Sequence, residues 1–600
     1  MLVTAARLPY FFQFNRYFTG GFMNSKLSHN QARRRFVKGT AALTALASTG
    51  MMSSFTWASP PNKQLTGKFF NLDIGEKEVN VTGSTAKATL VNGLLPGPVL
   101  RIKEGDEVTI KVTNYLTEMT TIHWHGMILD PEMDGVPGIS FPGIEPGESF
   151  DYKFKVVQSG TYWYHAHTLA EQTGVYGALI IDSLNPLEEE RVDRDYPVVL
   201  SDWTDEDPVD VYLNLKKMGG YYNYQQLTAG DFINDVSNVG LAKAFKQRQP
   251  WNKARMSPTD FSDISAATYT YLMNGNSPAS NWHGIANKGE KVRLRFIGAS
   301  TATFFDIRIP GLKLKVVSTD GQNVQPVVVD EFRIGPGETY DVIVEIPDNQ
   351  AYSVFAQALD RSGYVSGTLS AQKSMKASPP PIDAPVLLSM VDMMGEMGKS
   401  SSDKGMQMMP NHLAMQKMEN QGLAKASKQV RHASTEFGAG VDMRVDMPRT
   451  NLDDPGAGLR NTGRRALTYA DLKSLKVPED TRTPTREIEM HLTGNMERFI
   501  WSIDGLKLNE AKPLHFPLGE RIRVILHNDS NMLHPMHLHG MWSDLESPEG
   551  GFQVRKHTIT VQPAQRVSFL VTVDAPGRWA FHCHLLYHMA AGMFREVVVA

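Results

Sequence analysis

The sequence predicts an all-β protein built from three consecutive Greek-key β-sandwich or barrel domains. Short stretches of alternating apolar and polar residues, which are typical of half-buried strands, recur along most of the chain. The 49 glycines and 34 prolines separate these stretches, and helical patterns are few. A length of 600 residues allows roughly three to five domains of ordinary size.

The first 58 residues predict an export signal rather than a domain. Arg33-Arg34-Arg35-Phe36-Val37-Lys38 precedes a mild apolar run and a small-residue exit that ends at Ala58. This pattern resembles a twin-arginine signal, which implies export to the periplasm by the twin-arginine machinery and cleavage near Ala58. Residues 1–58 carry seven Lys and Arg and no acid, so cleavage would change the net charge from −3 to −3 − 7 = −10. A basic disordered tail is the alternative interpretation.

One sequence unit is present three times and sets the expected domain boundaries. In each copy a Gly-acid pair leads into strand-like alternation, and a Pro-Gly-Glu or Pro-Ala-Gln turn leads into a second such stretch. The first stretches begin at Gly105, Gly289 and Gly519, and the turns begin at Pro146, Pro336 and Pro563. We therefore expect domains at 59–187, 188–372 and 482–600.

A compositional break separates the second and third domains, over 373–481. It opens with Ser378-Pro379-Pro380-Pro381, is rich in Met, Gly, Lys and Ser, and has few aromatic residues. Such a composition is typical of a flexible insert with little regular structure. Nine of its methionines are concentrated between residues 390 and 418: Met390, Met393, Met394, Met397, Met406, Met408, Met409, Met415 and Met418.

The composition excludes several classes of protein. One cysteine in 600 residues excludes an internal disulfide framework and thiolate-rich zinc or iron–sulfur sites. The near-neutral charge argues against nucleic acid as a partner. No uncharged run reaches the roughly 20 apolar residues of a membrane span, so we do not expect an integral membrane protein.

Ten of the 18 histidines occur in four short motifs, two in the first domain and two in the third. Since alternate side chains of a strand share a face, each His-x-His pair presents two imidazoles together. The middle domain has no histidine at the corresponding stretches, 304–307 and 356–358. The sequence therefore predicts one shared cluster between the first and third domains. Its members are His123, His125, His165, His167, His537, His539, His582 and His584.

Cys583, which lies between two of these histidines, must face the opposite side of its strand. His534 can join it there if its segment is extended, and His588 and Met593 follow shortly after. Two imidazoles, one thiolate and a distant thioether are the ligands of a blue-copper site. Zinc is the alternative metal, but this set beside an eight-histidine cluster fits copper better.

These motifs resemble those of the multicopper oxidases, a family usually built from three cupredoxin domains. The resemblance implies four copper ions as cofactor: one type 1, one type 2 and two type 3. It also implies that Asp134 lies near the type 2 copper and delivers protons, although an ordinary Asp-Gly turn is the alternative. The implied ligands are His534, Cys583, His588 and Met593 for type 1; His123 and His537 for type 2; His125, His165 and His584 for one type 3 ion; and His167, His539 and His582 for the other.

The signal, the Met-rich insert and the segment 201–208 together resemble the bacterial copper-resistance oxidases of the CopA/PcoA type. This resemblance implies that electrons from Cu(I) enter at the imidazole of His588 and reduce O2 to water. Because thioethers prefer Cu(I), accessory Cu(I) sites are expected at Met390, Met393, Met394, Met397, Met406, Met408 and Met409. A laccase-like phenol oxidase and a non-catalytic periplasmic copper store are the alternatives. We expect a monomer with O2 and Cu(I), or a small reducing substrate, as its partners.

Overall fold

A computed structural model of the chain describes residues 63–187, 191–395 and 430–600. The predicted signal region, 1–58, lies outside the described residues, as do Met397, Met406, Met408 and Met409. In the described parts of the chain, 31 strands form six sheets, and helices are few. The all-β prediction is therefore confirmed.

The first sandwich contains nine strands in two sheets. The strands are β1 (Gln64–Thr66), β2 (Phe69–Val79), β3 (Ala86–Val91), β4 (Val99–Lys103), β5 (Glu107–Asn114), β6 (His123–His125), β7 (Ser149–Lys155), β8 (Gly160–His165) and β9 (Tyr176–Asp182). One sheet has the order β1-β4-β9-β8-β6 and the other β3-β2-β5-β7. The repeat shows in β5, where Val108, Ile110 and Val112 are buried and alternate with more exposed polar residues.

The second sandwich contains eleven strands. They are β10 (Arg194–Trp203), β11 (Thr270–Met273), β12 (Trp282–Ile285), β13 (Lys291–Gly298), β14 (Phe305–Arg308), β15 (Leu314–Thr319), β16 (Gln322–Val329), β17 (Glu331–Ile334), β18 (Thr339–Glu345), β19 (Tyr352–Ala358) and β20 (Tyr364–Ser370). The two sheets have the orders β11-β10-β13-β18-β15-β16 and β12-β20-β19-β14-β17.

The third sandwich also contains eleven strands. They are β21 (Arg486–Asn495), β22 (Ile500–Ile503), β23 (Leu514–Phe516), β24 (Arg521–Asp529), β25 (His534–Leu538), β26 (Ser543–Glu546), β27 (Phe552–Lys556), β28 (Thr558–Val561), β29 (Arg566–Thr572), β30 (Gly577–Cys583) and β31 (Phe594–Val599). Its sheets have the orders β22-β21-β24-β29-β26-β27 and β23-β31-β30-β25-β28. Strand for strand, this is the topology of the second sandwich, which accounts for the repeated sequence unit.

Short helices lie in the connections between strands and between sandwiches. They are α1 (Pro208–Lys217), α2 (Ala229–Val239), α3 (Leu241–Ala254), α4 (Met390–Met394), α5 (Leu586–Ala591) and the 3-10 turns Pro131–Met133, Leu169–Glu171, Ser434–Phe437 and Leu508–Glu510. Asp207 begins α1 by accepting a hydrogen bond from the Val209 N–H, and Pro208 suits its first turn. No helix in the described ranges is long and apolar enough to cross a membrane.

Residues 430–481 depart from the flexible insert that the composition predicts. Leu452, Leu459, Leu467 and Leu472 are all buried. Isolated bridges join this segment to both neighbouring sandwiches, at Glu331↔Ala466 and Arg449↔Gln565 among others. The difference has a simple cause: the leucines are too widely spaced to form a helical or strand pattern, yet Leu452, Leu467 and Leu472 pack in the main hydrophobic core.

Candidate metal centre

Two strand pairs bring the predicted histidine cluster together. On β6 and β8 of the first sandwich, His123 lies opposite His165, and on β25 and β30 of the third, His537 lies opposite His582. The second histidine of each pair lies either on the same strand, as His125 does, or just past the end of that strand, as His167, His539 and His584 do. Both sandwiches therefore direct imidazoles at their interface. All eight histidines of the predicted cluster are buried: His123, His125, His165, His167, His537, His539, His582 and His584.

Backbone carbonyls orient the rings of the cluster. Nδ1 of His123 lies 2.8 Å from the Asp134 carbonyl oxygen, and Nδ1 of His537 lies 2.7 Å from the His557 carbonyl oxygen. A ring that donates from Nδ1 leaves the Nε2 lone pair free to bind a metal. In the described parts of the chain, the buried Nε2 atoms of both rings have no hydrogen-bond partner. These donor atoms therefore fit a metal ion.

Three histidine rings point their Nε2 atoms at one position in the cluster. Nε2 of His582 lies 3.2 Å from Nε2 of His167 and 3.0 Å from Nε2 of His539. Such spacings place all three nitrogen atoms within reach of a single ion with metal–nitrogen bonds of about 2 Å. These are the three histidines that the family resemblance groups around one type 3 ion.

Burial favours the neutral form of several imidazoles of the cluster. Loss of solvent, reinforced by the neighbouring rings, lowers the pKa of His125, His165 and His539 well below the ordinary value. The same burial lowers the pKa of His582 and of His557 to about 4. A neutral imidazole is the form that binds a metal, so the site is prepared for cations at neutral pH.

Two buried carboxylates contact the outer nitrogen atoms of the cluster. Asp134 Oδ2 lies 2.9 Å from Nδ1 of His539, and its Oδ1 lies 3.3 Å from Nδ1 of His123. Glu171 Oε2 lies 3.0 Å from Nδ1 of His165, and burial raises the pKa of Glu171 well above its ordinary value. The structure thus places Asp134 beside His123, a predicted type 2 ligand, and His539, a predicted type 3 ligand. Sequence reasoning missed Glu171, which no motif marks.

His557 is a second residue of the cluster that sequence reasoning missed. It is buried in the cluster, with Nδ1 3.2 Å from Nε2 of His125. His125, His537 and His557 form one of the groups whose donor atoms lie within 4.8 Å of one another. A single histidine at the junction of β27 and β28 carries no His-x-His signal.

The predicted Cys583 site assembles on the opposite side of β30. Sγ of Cys583 lies 3.6 Å from Nδ1 of His534 and 3.9 Å from Nδ1 of His588, and the two Nδ1 atoms are 3.3 Å apart. The three donor atoms form a triangle of the size that one metal ion spans. The side chain of Met593 is fully buried, and its carbonyl accepts a hydrogen bond from the Cys583 N–H.

His588 does not reach the surface directly. Its ring is fully buried and stacks on Trp501, with ring centroids 3.8 Å apart. Its Nε2 lies 2.8 Å from Oδ2 of Asp263, a buried residue that the second sandwich contributes. The predicted electron-accepting edge is therefore covered by a carboxylate, which the sequence does not reveal.

The methionines of the insert that the structure describes between residues 390 and 394 pack against the protein and do not extend into solvent. Met393 is buried in the main hydrophobic core, and Met390 and Met394 lie against that core. Asp392 anchors this turn through an ion pair with Arg460, at 2.7 Å. The packing accounts for Met390, Met393 and Met394 without a metal.

Three family models, each described as Multicopper oxidase, match residues 73–186, 194–374 and 481–600. The chain belongs to the multicopper oxidase family. It is thus a copper-binding oxidase, and both the family prediction and the fold prediction of three cupredoxin-like domains are confirmed.

Relatives in this family cover nearly the whole chain. Copper resistance protein A of Pseudomonas syringae pv. tomato is 51% identical over 95% of this chain and 99% of its own length. Copper resistance protein A of Escherichia coli is 50% identical over the same shares of the two chains. The crystal structure of Fet3p, a multicopper oxidase that functions in iron import, superposes with a TM-score of 0.61 at 17% identity, covering 89% of this chain and 90% of that one.

Proposed function

We propose that this multicopper oxidase oxidises Cu(I), couples that oxidation to the reduction of O2 to water, and thereby serves copper resistance. The observation that carries the proposal is the position of Cys583, whose Sγ belongs to one donor triangle while its peptide neighbours, His582 and His584, belong to the other cluster. The two centres are thus joined by covalent bonds. The name shared by the relatives at about 50% identity supports copper resistance as the purpose.

Four copper ions are proposed as the cofactor, with ligands as the motifs imply. These are His534, Cys583, His588 and Met593 for type 1; His123 and His537 for type 2; His125, His165 and His584 for one type 3 ion; and His167, His539 and His582 for the other. When bound, copper would supply one-electron acceptance at the Cys583 site and four-electron reduction of O2 at the histidine cluster.

Buried carboxylates are proposed to supply the protons that water formation needs. Asp134 contacts the Nδ1 atoms of His123 and His539, so that it can orient both rings and hold a proton at the cluster. Glu171, whose pKa is raised by its burial, is placed to do the same beside His165. Asp263, which contacts Nε2 of His588, is placed to orient the ring through which electrons enter.

The Met-rich insert is proposed to collect Cu(I) for this reaction. Thioether sulfur is a soft ligand that favours Cu(I) over divalent ions. Because Met390, Met393 and Met394 pack in or against the core, we assign the collecting role to the methionines of the insert between residues 397 and 418. We further propose export to the periplasm by the twin-arginine machinery, with cleavage near Ala58, and function as a monomer.

The test compares Cu(I) with a phenol as electron donor. The variant changes Met397, Met406, Met408, Met409, Met415 and Met418 to Leu, which keeps both the length of the insert and the packed residues 390–395. Oxygen consumption with Cu(I) should fall about tenfold or more, the loss expected when a set of soft ligands is removed. Oxygen consumption with a phenol should stay the same or rise.

A matched control changes Met447, an exposed methionine of the same insert that lies outside the 397–418 set, to Leu. It should leave both rates unchanged. Unchanged Cu(I) oxidation in the sixfold variant would reject the role of the insert, and the absence of O2 consumption with Cu(I) in the copper-loaded wild-type protein would reject the function itself.

A further inference from the structure

A further cluster of metal-ligating side chains, separate from both centres described above, lies where the insert meets the third sandwich. His491 on β21 and Asp529 at the end of β24 face Glu436 from the 3-10 turn Ser434–Phe437 and His432 just before that turn. Glu436, His491 and Asp529 have side chains no more than 2% exposed, and that of His432 is 11% exposed. Neither the sequence motifs nor the proposed oxidase reaction uses any of the four.

The donor atoms of the four side chains converge on one point. Nδ1 of His432 lies 2.7 Å from Glu436 Oε2 and 3.6 Å from Asp529 Oδ2. Nδ1 of His491 lies 2.8 Å from Asp529 Oδ2 and 3.5 Å from Glu436 Oε2. Four ligands placed tetrahedrally at about 2.0–2.1 Å from one ion are roughly 3.3 Å apart, so the observed spacings match such a site.

The charge of the cluster calls for a cation. Glu436 and Asp529 are two buried carboxylates, and the ion pairs they make run to the two imidazoles. A buried carboxylate is costly unless positive charge neutralises it. Asp529 and Glu436 raise the pKa of His491 in spite of its burial, because the two carboxylates favour positive charge at this position. A single divalent ion can supply that charge.

The surroundings resemble the outer layer of a metal site. The other ring nitrogen of His432, Nε2, lies 3.3 Å from Asp446 Oδ1. A metal-bound imidazole commonly makes this second contact with a carboxylate, which fixes the ring orientation. On the other side, His491 stacks on His527 with ring centroids 4.5 Å apart, which holds its ring in place.

We propose that His432, Glu436, His491 and Asp529 form a fifth metal site, for a divalent transition-metal ion such as Zn(II) or Cu(II). Two imidazole nitrogens and two carboxylate oxygens are borderline and hard ligands, which suit these ions rather than Cu(I). The site begins 14 residues after Met418, the last methionine of the collecting set. A bound metal would therefore attach the chain to the third sandwich shortly after the collecting methionines.

The experiment titrates the copper-loaded full-length protein with Co(II), whose tetrahedral complexes absorb strongly in the visible, and then displaces Co(II) with Zn(II). Co(II) does not compete for sites that hold copper. The wild-type protein should bind one further equivalent. His432→Ala and, separately, Glu436→Gln should weaken this binding by about 100-fold or more, since each removes a direct ligand. His515→Ala, at an exposed histidine of the same sandwich, should bind like the wild type.

Thermal unfolding in metal-free buffer and the copper content of each variant show whether it is folded. His432 is the member of the cluster nearest the surface, so that its replacement by Ala is the mildest change. A wild-type protein that holds only four copper ions and binds no further equivalent of Co(II) would overturn the proposal. So would Co(II) binding that persists unchanged in both folded variants, because the ion would then lie elsewhere.

Discussion

The second and third sandwiches share one topology but treat the same buried position differently. In the third, β25 and β30 place His537 opposite His582, and in the second, the corresponding strands β14 and β19 place Asp306 opposite Gln357. Asp306 is fully buried and pairs with the guanidinium groups of Arg333 and Arg361, each at 2.7 Å. The second sandwich thus neutralises this buried carboxylate with its own arginines.

The third sandwich does not satisfy its histidines in this way. In the described parts of the chain, the inward nitrogen Nε2 of His537 has no hydrogen-bond partner, and neither ring nitrogen of His584 has one. Because a buried polar atom without a partner costs free energy, this arrangement is stable when something else binds there. The same topology can therefore serve as a structural domain or as a metal centre. The outcome depends on whether a few buried polar side chains find partners within the sandwich or are left free to bind a metal.

The largest expected effect comes from removing the thiolate of the third sandwich. Cys583→Ser should abolish the blue absorption and reduce O2 consumption by more than about 100-fold, since a hydroxyl is a poor substitute for a soft copper ligand. Absorption spectroscopy and an oxygen electrode measure both. Ser366→Ala, at a buried position of the second sandwich, is the control and should keep the colour. A persistent blue band in Cys583→Ser would contradict the type 1 assignment.

A change in the second sandwich should instead lower stability and spare the chemistry. Arg361→Met leaves Asp306 with one partner in a fully buried site, and breaking such a pair costs about 3–5 kcal/mol. Denaturant unfolding should show this loss in the free energy of unfolding, while copper content per folded molecule stays at the wild-type value. If copper content fell together with the free energy of unfolding, the proposal that the second sandwich contributes only stability would be wrong.

The smallest expected effect is the response of the demetallated protein to acid. Burial lowers the pKa of His557 and His582 from 6.5 to about 4, so below pH 6.5 the unfolded chain binds more protons than the folded one. Stability should therefore fall as the pH decreases, by about 2 kcal/mol for each of these histidines between pH 7 and pH 5. Denaturation midpoints at each pH measure this.

The copper-loaded protein is the control for the acid experiment. Bound metal occupies the imidazole nitrogens that protons would otherwise bind. The free energy of unfolding of the copper-loaded protein should therefore change less over the same pH range, until copper is released. The arginines outweigh the effect of burial and lower the pKa of Asp306, so that this ion pair adds no dependence on pH there. Equal slopes with and without copper would show that the histidines are not the source.

Local sequence patterns alone carried the prediction of the strands, the threefold repeat and most of the metal centre. Strand alternation has a period of two residues, and His-x-His pairs use the same period, so both can be read without tertiary contacts. The opposite orientation of Cys583 within His582-Cys583-His584 follows from the same rule, and the structure shows the thiol on the other side of the strand from its neighbours.

Only the tertiary structure decided which isolated residues complete the sites. Glu171, Asp263 and His557 stand alone in the sequence, and chain segments far apart bring Asp263 to His588 and His557 to His125. The order of 430–481 likewise depends on surfaces of two other domains. The physical reason is that periodicity records which face of an element is buried, whereas a contact between distant segments leaves no periodic trace.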